Sequence, residues 1–101
     1  MDIDEVVSNI EYIANVFGIK NQQCKLIEEL SELIKELAAD IANNRDISEK
    51  TIMEIADVNI LINQILYLST TKEYNSKEKL SDAIEYKLKR TIHRIKTNYY
   101  K

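Results

Sequence analysis

The chain of 101 residues contains no proline and a single glycine, Gly18. Tight turns between strands depend on these two residue types, whereas helix interiors disfavour both. Their near absence therefore favours an all-α fold. With 45% apolar and 31% charged residues, the composition is typical of a folded, soluble protein. A chain of this length usually forms one domain, so we expect a single domain over residues 1–101.

Charge and cysteine content exclude several classes of function. The formal net charge is −3, which argues against nucleic-acid binding through a broad basic face. The single cysteine, Cys24, cannot form an internal disulfide or a thiolate zinc site. The acidic first residues are unlike a signal peptide, and the most apolar window, 58–68, is too short to span a bilayer. We therefore expect a cytoplasmic protein with no nucleic-acid or membrane partner.

Apolar periodicity predicts four helices. The first ends at Phe17, where Gly18 suits a left-handed helix end. The second spans about 21–42, and a third extends to about residue 68 after a candidate capping box of Asp46 and Glu49. A loop then leads to the fourth helix. Helical proteins of this size often add a subunit interface to their core, so we expect a four-helix bundle completed by oligomerisation.

The third predicted helix is apolar on nearly all sides, which predicts a central position in the fold. Between Thr51 and Thr71 its only charged residues are Glu54 and Asp57. They lie three positions apart and therefore share one face of the helix. Two like charges on a buried helix destabilise the fold by several kcal/mol unless another group compensates them.

The second predicted helix carries another acidic stripe. Glu29, Glu32 and Glu36 follow the spacing i, i+3, i+7 and border the apolar face. Pairs of carboxylates on two neighbouring helices form a site of hard oxygen ligands, which suits Mg²⁺ or Mn²⁺. A bound cation would supply the compensation that the acids of the third helix need.

The fourth predicted helix offers the opposite charge. Lys87, Arg90 and Arg94 also follow i, i+3, i+7 and flank its apolar stripe. Metal-bound phosphate oxygens need such cations to neutralise their charge. The only histidine, His93, is too far along the chain from these acids for a di-iron site of the Glu-x-x-His type.

Each of these patterns also has a purely structural interpretation. The acidic stripe of the second helix fits a solvated flank, and the three cations fit ion pairs across a helix interface. Either Glu54 or Asp57 fits a subunit seam. Asn59 and Asn63 interrupt an apolar helix and more often satisfy core or interface hydrogen bonds than bind a ligand.

The segments 28–33 (EELSEL) and 54–58 (EIADV) resemble the ExxE and ExxD motifs of MazG-like nucleotide pyrophosphohydrolases, a family of the all-α NTP pyrophosphatase superfamily. Within these segments the motif residues are Glu29, Glu32, Glu54 and Asp57. Gln23 and the basic segment 87–94 look like the family's usual flanks, so the resemblance covers most of the chain. Either short motif alone is weak, whereas the two together on the expected helices are fairly specific.

The resemblance implies a four-helix, MazG-like fold and a Mg²⁺-dependent reaction, with Mn²⁺ as a possible substitute. Family members hydrolyse a nucleoside triphosphate to the monophosphate and pyrophosphate, as dimers or tetramers with sites near the subunit interface. The implied metal-binding and catalytic residues are Glu29, Glu32, Glu54 and Asp57. The implied phosphate-binding residues are Lys87, Arg90 and Arg94. One of the carboxylates would orient or deprotonate the attacking water.

Two alternatives remain open at the level of sequence. A relative acting on phosphoribosyl-ATP or dUTP would share the motifs, although dimeric dUTPases are usually longer than 101 residues. A helical oligomer without turnover, or a nucleotide-binding subunit, would use the same acids and bases as ion pairs. Base preference is also open, because the chain has no tryptophan to line a base pocket.

Overall fold

A computed structural model of the chain describes residues 1–97. These residues form four α-helices and no strand: α1 (Ile3–Phe17), α2 (Ile19–Ala42), α3 (Glu49–Ser69) and α4 (Ser76–Lys96). The prediction of an all-α fold with four helices is therefore confirmed. The helices fall into two units, residues 1–69 with α1 to α3, and residues from 70 onward with α4.

The junction between α1 and α2 consists of one residue. Gly18 has a φ of 82°, a conformation that side-chain-bearing residues rarely adopt, and its N–H donates to the carbonyl of Ala14 at 2.8 Å. At the other end of α1, the Asp2 carboxylate accepts from the N–H of Glu5 at 2.8 Å. This is a helix N-cap, which satisfies an otherwise unpaired donor.

The junction between α2 and α3 is held by Asp40, a buried carboxylate near the end of α2. Its Oδ1 accepts from Arg45 Nε at 2.7 Å, and its Oδ2 accepts from the Thr51 hydroxyl at 2.5 Å and the Ser48 N–H at 3.3 Å. Ser48 in turn accepts from the N–H of Thr51 at 3.1 Å and so caps α3. The predicted capping box of Asp46 and Glu49 is wrong, because α3 begins at Glu49 and the residue that caps it is Ser48, directly before it.

Within residues 1–69, α3 is the central helix and packs against both α1 and α2. The predicted central position holds for the contacts of α3 within this unit, but the helix is not enclosed, since Ile52 and Met53 are 49% and 66% exposed. Among the described residues only three hydrophobic residues are buried: Ala14, Val58 and Leu61. Much of the apolar surface predicted to form the core, including Ile34 and Ile41 of α2, is instead exposed in the single chain.

The length and composition of α3 also meet the requirements for a membrane-spanning helix. Of the described helices it is the one that does so, with 22% of its apolar window buried. The helix is longer than the apolar window recognised in the sequence. A core helix of a soluble protein meets the same requirements, so this property does not assign the chain to a membrane.

The unit that begins at residue 70 contains α4. Asn75 caps this helix by accepting from the N–H of Glu78 at 3.1 Å. Its apolar side chains lie on one stripe, and each is between 38% and 60% exposed: Leu80, Ile84, Leu88, Ile92 and Ile95. A lone amphipathic helix has no second layer against which to bury such a stripe.

Candidate metal centre and adjoining cavity

Three of the four predicted acids lie together where α2 faces α3. Glu29 projects from α2, and Glu54 and Asp57 lie one turn apart on α3. One carboxylate oxygen from each residue lies within 4.8 Å of those of the other two. Glu29 and Glu54 are half-buried and Asp57 is exposed. The cluster therefore offers hard oxygen ligands with access from solvent.

Glu54 is the least compensated member of this cluster. Its Oε2 atom is buried and has no hydrogen-bond partner. The pKa of Glu54 is raised above its ordinary value of 4.5, first because the protonated carboxyl can share its proton with Glu29. Burial and then repulsion from Glu29, Asp57 and Glu32 raise it further. Either a proton or a cation at this position would relieve the repulsion among the acids.

The fourth predicted acid, Glu32, is exposed and lies outside the cluster of three. It stays close enough for its charge to contribute to the raised pKa of Glu54. Glu36, the last residue of the acidic stripe, is buried and takes a different partner, since Lys50 Nζ lies 3.6 Å from its Oε1. The stripe thus divides between a cluster around Glu54 and an ion pair near the start of α3.

Lys25 is a cation within the site that sequence reasoning did not identify. Its Nζ lies 3.3 Å from Glu29 Oε1 and 3.6 Å from Glu28 Oε1. The pKa of Lys25 is raised, chiefly by the hydrogen bond to Glu29 and then by the charge of Glu28. The signal was present in the sequence, because Lys25 precedes Glu29 by one helical turn and must share its face.

The predicted phosphate-binding residues lie together on one face of α4. The Arg90 guanidinium carbon and Lys87 Nζ lie 5.8 Å and 5.9 Å from the centroid of the Tyr86 ring. Arg90 Nε is buried and has no hydrogen-bond partner, and Arg94 is half-buried. Because α4 belongs to the second unit, the assignment of these cations to the phosphates remains a prediction.

A cavity of about 490 Å³ adjoins the acids. Glu29, Asp57 and Lys25 line it, together with two buried glutamines, Gln22 and Gln64. The remaining lining residues are Ile13, Phe17, Asn21, Ile60 and Leu61. A mostly apolar cavity with a few convergent polar groups is the usual form of a small-molecule site.

Sequence reasoning also did not identify the two glutamines, although their spacing carried a signal. Gln22 lies seven residues before Glu29, and Gln64 lies seven residues after Asp57. Seven residues are close to two helical turns, so each glutamine shares a face with an acid of the cluster. The helices run antiparallel at this interface, because Gln22 contacts Gln64 at one end and Asp40 contacts Thr51 at the other.

Comparison of the chain with models of known protein families, with curated proteins and with solved structures yields no match.

Proposed function

We propose that this protein is a Mg²⁺-dependent nucleoside triphosphate pyrophosphohydrolase of the MazG-like type. The observation that carries the proposal is the cluster of Glu29, Glu54 and Asp57, whose oxygens lie within 4.8 Å of one another beside a cavity. The resemblance of the two sequence motifs suggests the reaction, and the cluster supports the proposal because its carboxylates could hold a metal ion. The fold is all-helical, as the proposal requires.

The donor set of the cluster fits a hard divalent cation. All of its ligands are carboxylate oxygens, and Glu54 Oε2 is buried without a donor to compensate it. Glu29, Glu54 and Asp57 would hold the metal, with Glu32 close enough to join them. A Mg²⁺ ion held there would supply charge neutralisation at the phosphates and would make a water molecule more acidic.

The protein's own side chains have separate tasks in the proposed reaction. The acids hold the metal, and one carboxylate that remains outside the ligand set orients the attacking water. Lys25 lies at the acidic end of the cavity, where an ammonium group would balance phosphate charge. On the resemblance of the sequence alone, Lys87, Arg90 and Arg94 are proposed to bind phosphate.

We further propose that a second copy of the chain completes the fold. The side chains Ile27, Leu30, Ile34, Leu37 and Ile41 of α2 are between 39% and 78% exposed. They alternate at spacings of three and four residues, the pattern of a helix that packs along another helix. The exposed stripe of α4 is a second surface of this kind. A homodimer or homotetramer would bury both.

The proposal is tested by pyrophosphate release from a panel of nucleoside and deoxynucleoside triphosphates in the presence of Mg²⁺. We expect the monophosphate and pyrophosphate as the only products, and we expect EDTA to stop the reaction. Phosphoribosyl-ATP and dUTP belong in the panel, because turnover of one of them alone would assign the chain to the corresponding relative. Release of inorganic phosphate instead of pyrophosphate would contradict the proposal.

The second candidate function is a helical oligomer whose acids serve only its architecture. The ion pairs of Lys25 with Glu29 and of Lys50 with Glu36 favour this alternative, since both use acids of the predicted stripe. Addition of Mg²⁺ separates the two functions. A metal site gains stability from its ligand, whereas a network of ion pairs gains none.

The increase in Tm that Mg²⁺ causes should therefore be larger at high pH than at low pH. The pKa of Glu54 is raised above 4.5 in the folded, metal-free protein. The stability that its proton contributes is present below this value and is lost as the pH rises through the raised pKa. We expect Mg²⁺ to raise Tm little at pH 4.5 and by about 5–15 °C at pH 8.

The control for this measurement is Glu54→Gln, which keeps the size of the side chain but cannot ionise. We expect the variant to lose most of the response to Mg²⁺ and to flatten the decline of Tm with pH in the metal-free protein. An equal response to Mg²⁺ in the wild type and the variant would remove Glu54 from the proposed metal site.

A further inference from the structure

A pair of buried amides lies in the cavity beside the acids. Gln22 of α2 is 5% exposed and Gln64 of α3 is 1% exposed. Gln22 Nε2 donates to Gln64 Oε1 at 2.5 Å. Both residues line the cavity, so the pair forms part of its wall.

The orientation of both amides follows from a backbone carbonyl. Gln64 Nε2 donates to the carbonyl oxygen of Ile10 at 3.3 Å, and a carbonyl can only accept. Gln64 must therefore turn its oxygen towards Gln22, and Gln22 must turn its amide nitrogen towards Gln64. Oε1 of Gln22 and the second N–H of its amide take no part in the pair. They form an adjacent acceptor and donor.

The position of the pair relative to the acids gives the cavity two chemically different ends. Each glutamine lies seven residues from an acid of the cluster, a distance of about 10 Å along a helix. Lys25, Glu29 and Asp57 carry the charges at one end. At the other end the lining residues are uncharged, and they include the apolar side chains of Ile13 and Phe17.

We propose that the uncharged end of the cavity binds the base of the nucleotide, and that Gln22 binds the edge of that base. The inference rests on the proposed function, since the phosphates must lie at the acids for the base to reach the amides. A base edge presents adjacent donors and acceptors, which the free Oε1 and N–H of Gln22 match. Gln64 acts as a positioning residue that fixes the Gln22 amide.

This assignment selects a class of substrate. A sugar phosphate or an inorganic polyphosphate has no planar, uncharged group to place between the apolar side chains and the amides. A nucleoside has one, and it needs no metal for that part of its binding. Nucleosides alone should therefore bind this end of the cavity without Mg²⁺, which separates the base subsite from the metal site.

The test is nucleoside binding in metal-free buffer, followed by NMR chemical shifts. The four common ribonucleosides are titrated against the wild type and against the double variant Gln22→Met/Gln64→Met. Replacing both partners by apolar groups of similar shape avoids an unpaired amide and keeps the fold. We expect at least one nucleoside to bind the wild type and to bind the double variant about 5–100-fold more weakly.

Methylated nucleosides distinguish recognition from a purely structural role. The pairs are uridine with 3-methyluridine and adenosine with N6,N6-dimethyladenosine, in which methyl groups replace the hydrogen that the base donates. For each parent nucleoside that binds, we expect its methylated form to bind the wild type more weakly than the parent does. To the double variant, the parent and its methylated form should bind equally. The control variant is Asn63→Leu, because Asn63 is exposed and bonds only within α3, to Asn59.

Three results would overturn the inference: no nucleoside binds, the double variant binds as tightly as the wild type, or methylation has no effect. None of them depends on turnover. Nucleoside binding lost in the double variant, together with no pyrophosphate release, would support the base subsite and contradict the proposed reaction. Pyrophosphate release by the wild type, together with unchanged nucleoside binding in the double variant, would support the proposed reaction and contradict the base subsite.

Discussion

Replacement of Asp57 by alanine is expected to abolish pyrophosphate release and to leave the protein folded. Asp57 contributes one of the three carboxylates that lie within 4.8 Å of one another, and its side chain is exposed. Its removal takes away a proposed metal ligand without opening a hole in the core. Loss of groups that merely support metal ligands reduces activity by about 10–100-fold, so loss of a ligand should reduce kcat by at least about 100-fold.

The measurement is kcat at saturating Mg²⁺ for the wild type and for Asp57→Ala, with circular dichroism to monitor the fold. Glu28→Ala is the matched control, because Glu28 neighbours Glu29 in the chain but has a side chain that is 65% exposed and lies outside the cluster. We expect the control to keep activity within a few-fold of the wild type. An active Asp57→Ala protein would remove this residue from the mechanism.

An unfolded Asp57→Ala protein would instead favour the architectural alternative. Removing one of several neighbouring carboxylates relieves repulsion, so a metal site predicts an unchanged or higher Tm in metal-free buffer. A residue that pairs with a cation across an interface predicts a lower Tm. The direction of the Tm change therefore separates the two functions even if the substrate is missing from the panel.

Replacement of Asp40 by alanine is expected to cause a large loss of stability. Asp40 is 1% exposed and accepts hydrogen bonds from Arg45, Ser48 and Thr51, so it joins the end of α2 to the start of α3. Without the carboxylate these donors lose a partner within a buried site. We expect Tm to fall by more than about 10 °C, measured by thermal unfolding.

Asp46→Ala is the matched control for this prediction. Asp46 is an acid of the same loop and is exposed, so we expect its removal to change Tm by no more than about 3 °C. Equal effects of the two substitutions would show that the buried network does not hold the junction. Comparison of the two variants also tests whether Asp46 caps α3, because the structure assigns the cap to Ser48.

The pH dependence of unfolding gives a second measure of Asp40. The hydroxyl of Thr51 is the largest cause that lowers the pKa of Asp40 below 3.8, and Arg45 and Ser48 lower it further. The ionised carboxylate therefore contributes stability that is present above this value and is lost as the pH falls through the lowered pKa. We expect the Tm difference between the wild type and Asp40→Ala to shrink below pH 3.8.

The helices could be predicted from the sequence because their signals are local. Gly18 marks the end of α1, and the spacing of apolar residues marks the other helices to within a few residues. The same periodicity predicted that Glu54 and Asp57 lie together, because residues three positions apart share a face of a helix. These inferences need only the geometry of one helix at a time.

The contacts that join the helices could not be predicted in this way. Asp40 looks like an ordinary acid at the end of a helix, and only its approach to Thr51 makes it a buried cap. The pair of Gln22 with Gln64 depends on the antiparallel register of α2 and α3, which no local pattern specifies. The separation of Glu32 from the cluster has the same origin.

The interface of α2 and α3 contains an amide pair, three acids and a carboxylate cap in succession. Its middle section opposes folding, because like charges lie close together there, while the cap at one end favours it. A lineage that stopped using the acids would gain stability by replacing them with neutral residues. If the three acids bind the proposed cation, selection for a stable fold and selection for metal binding act against each other on the same few turns of helix.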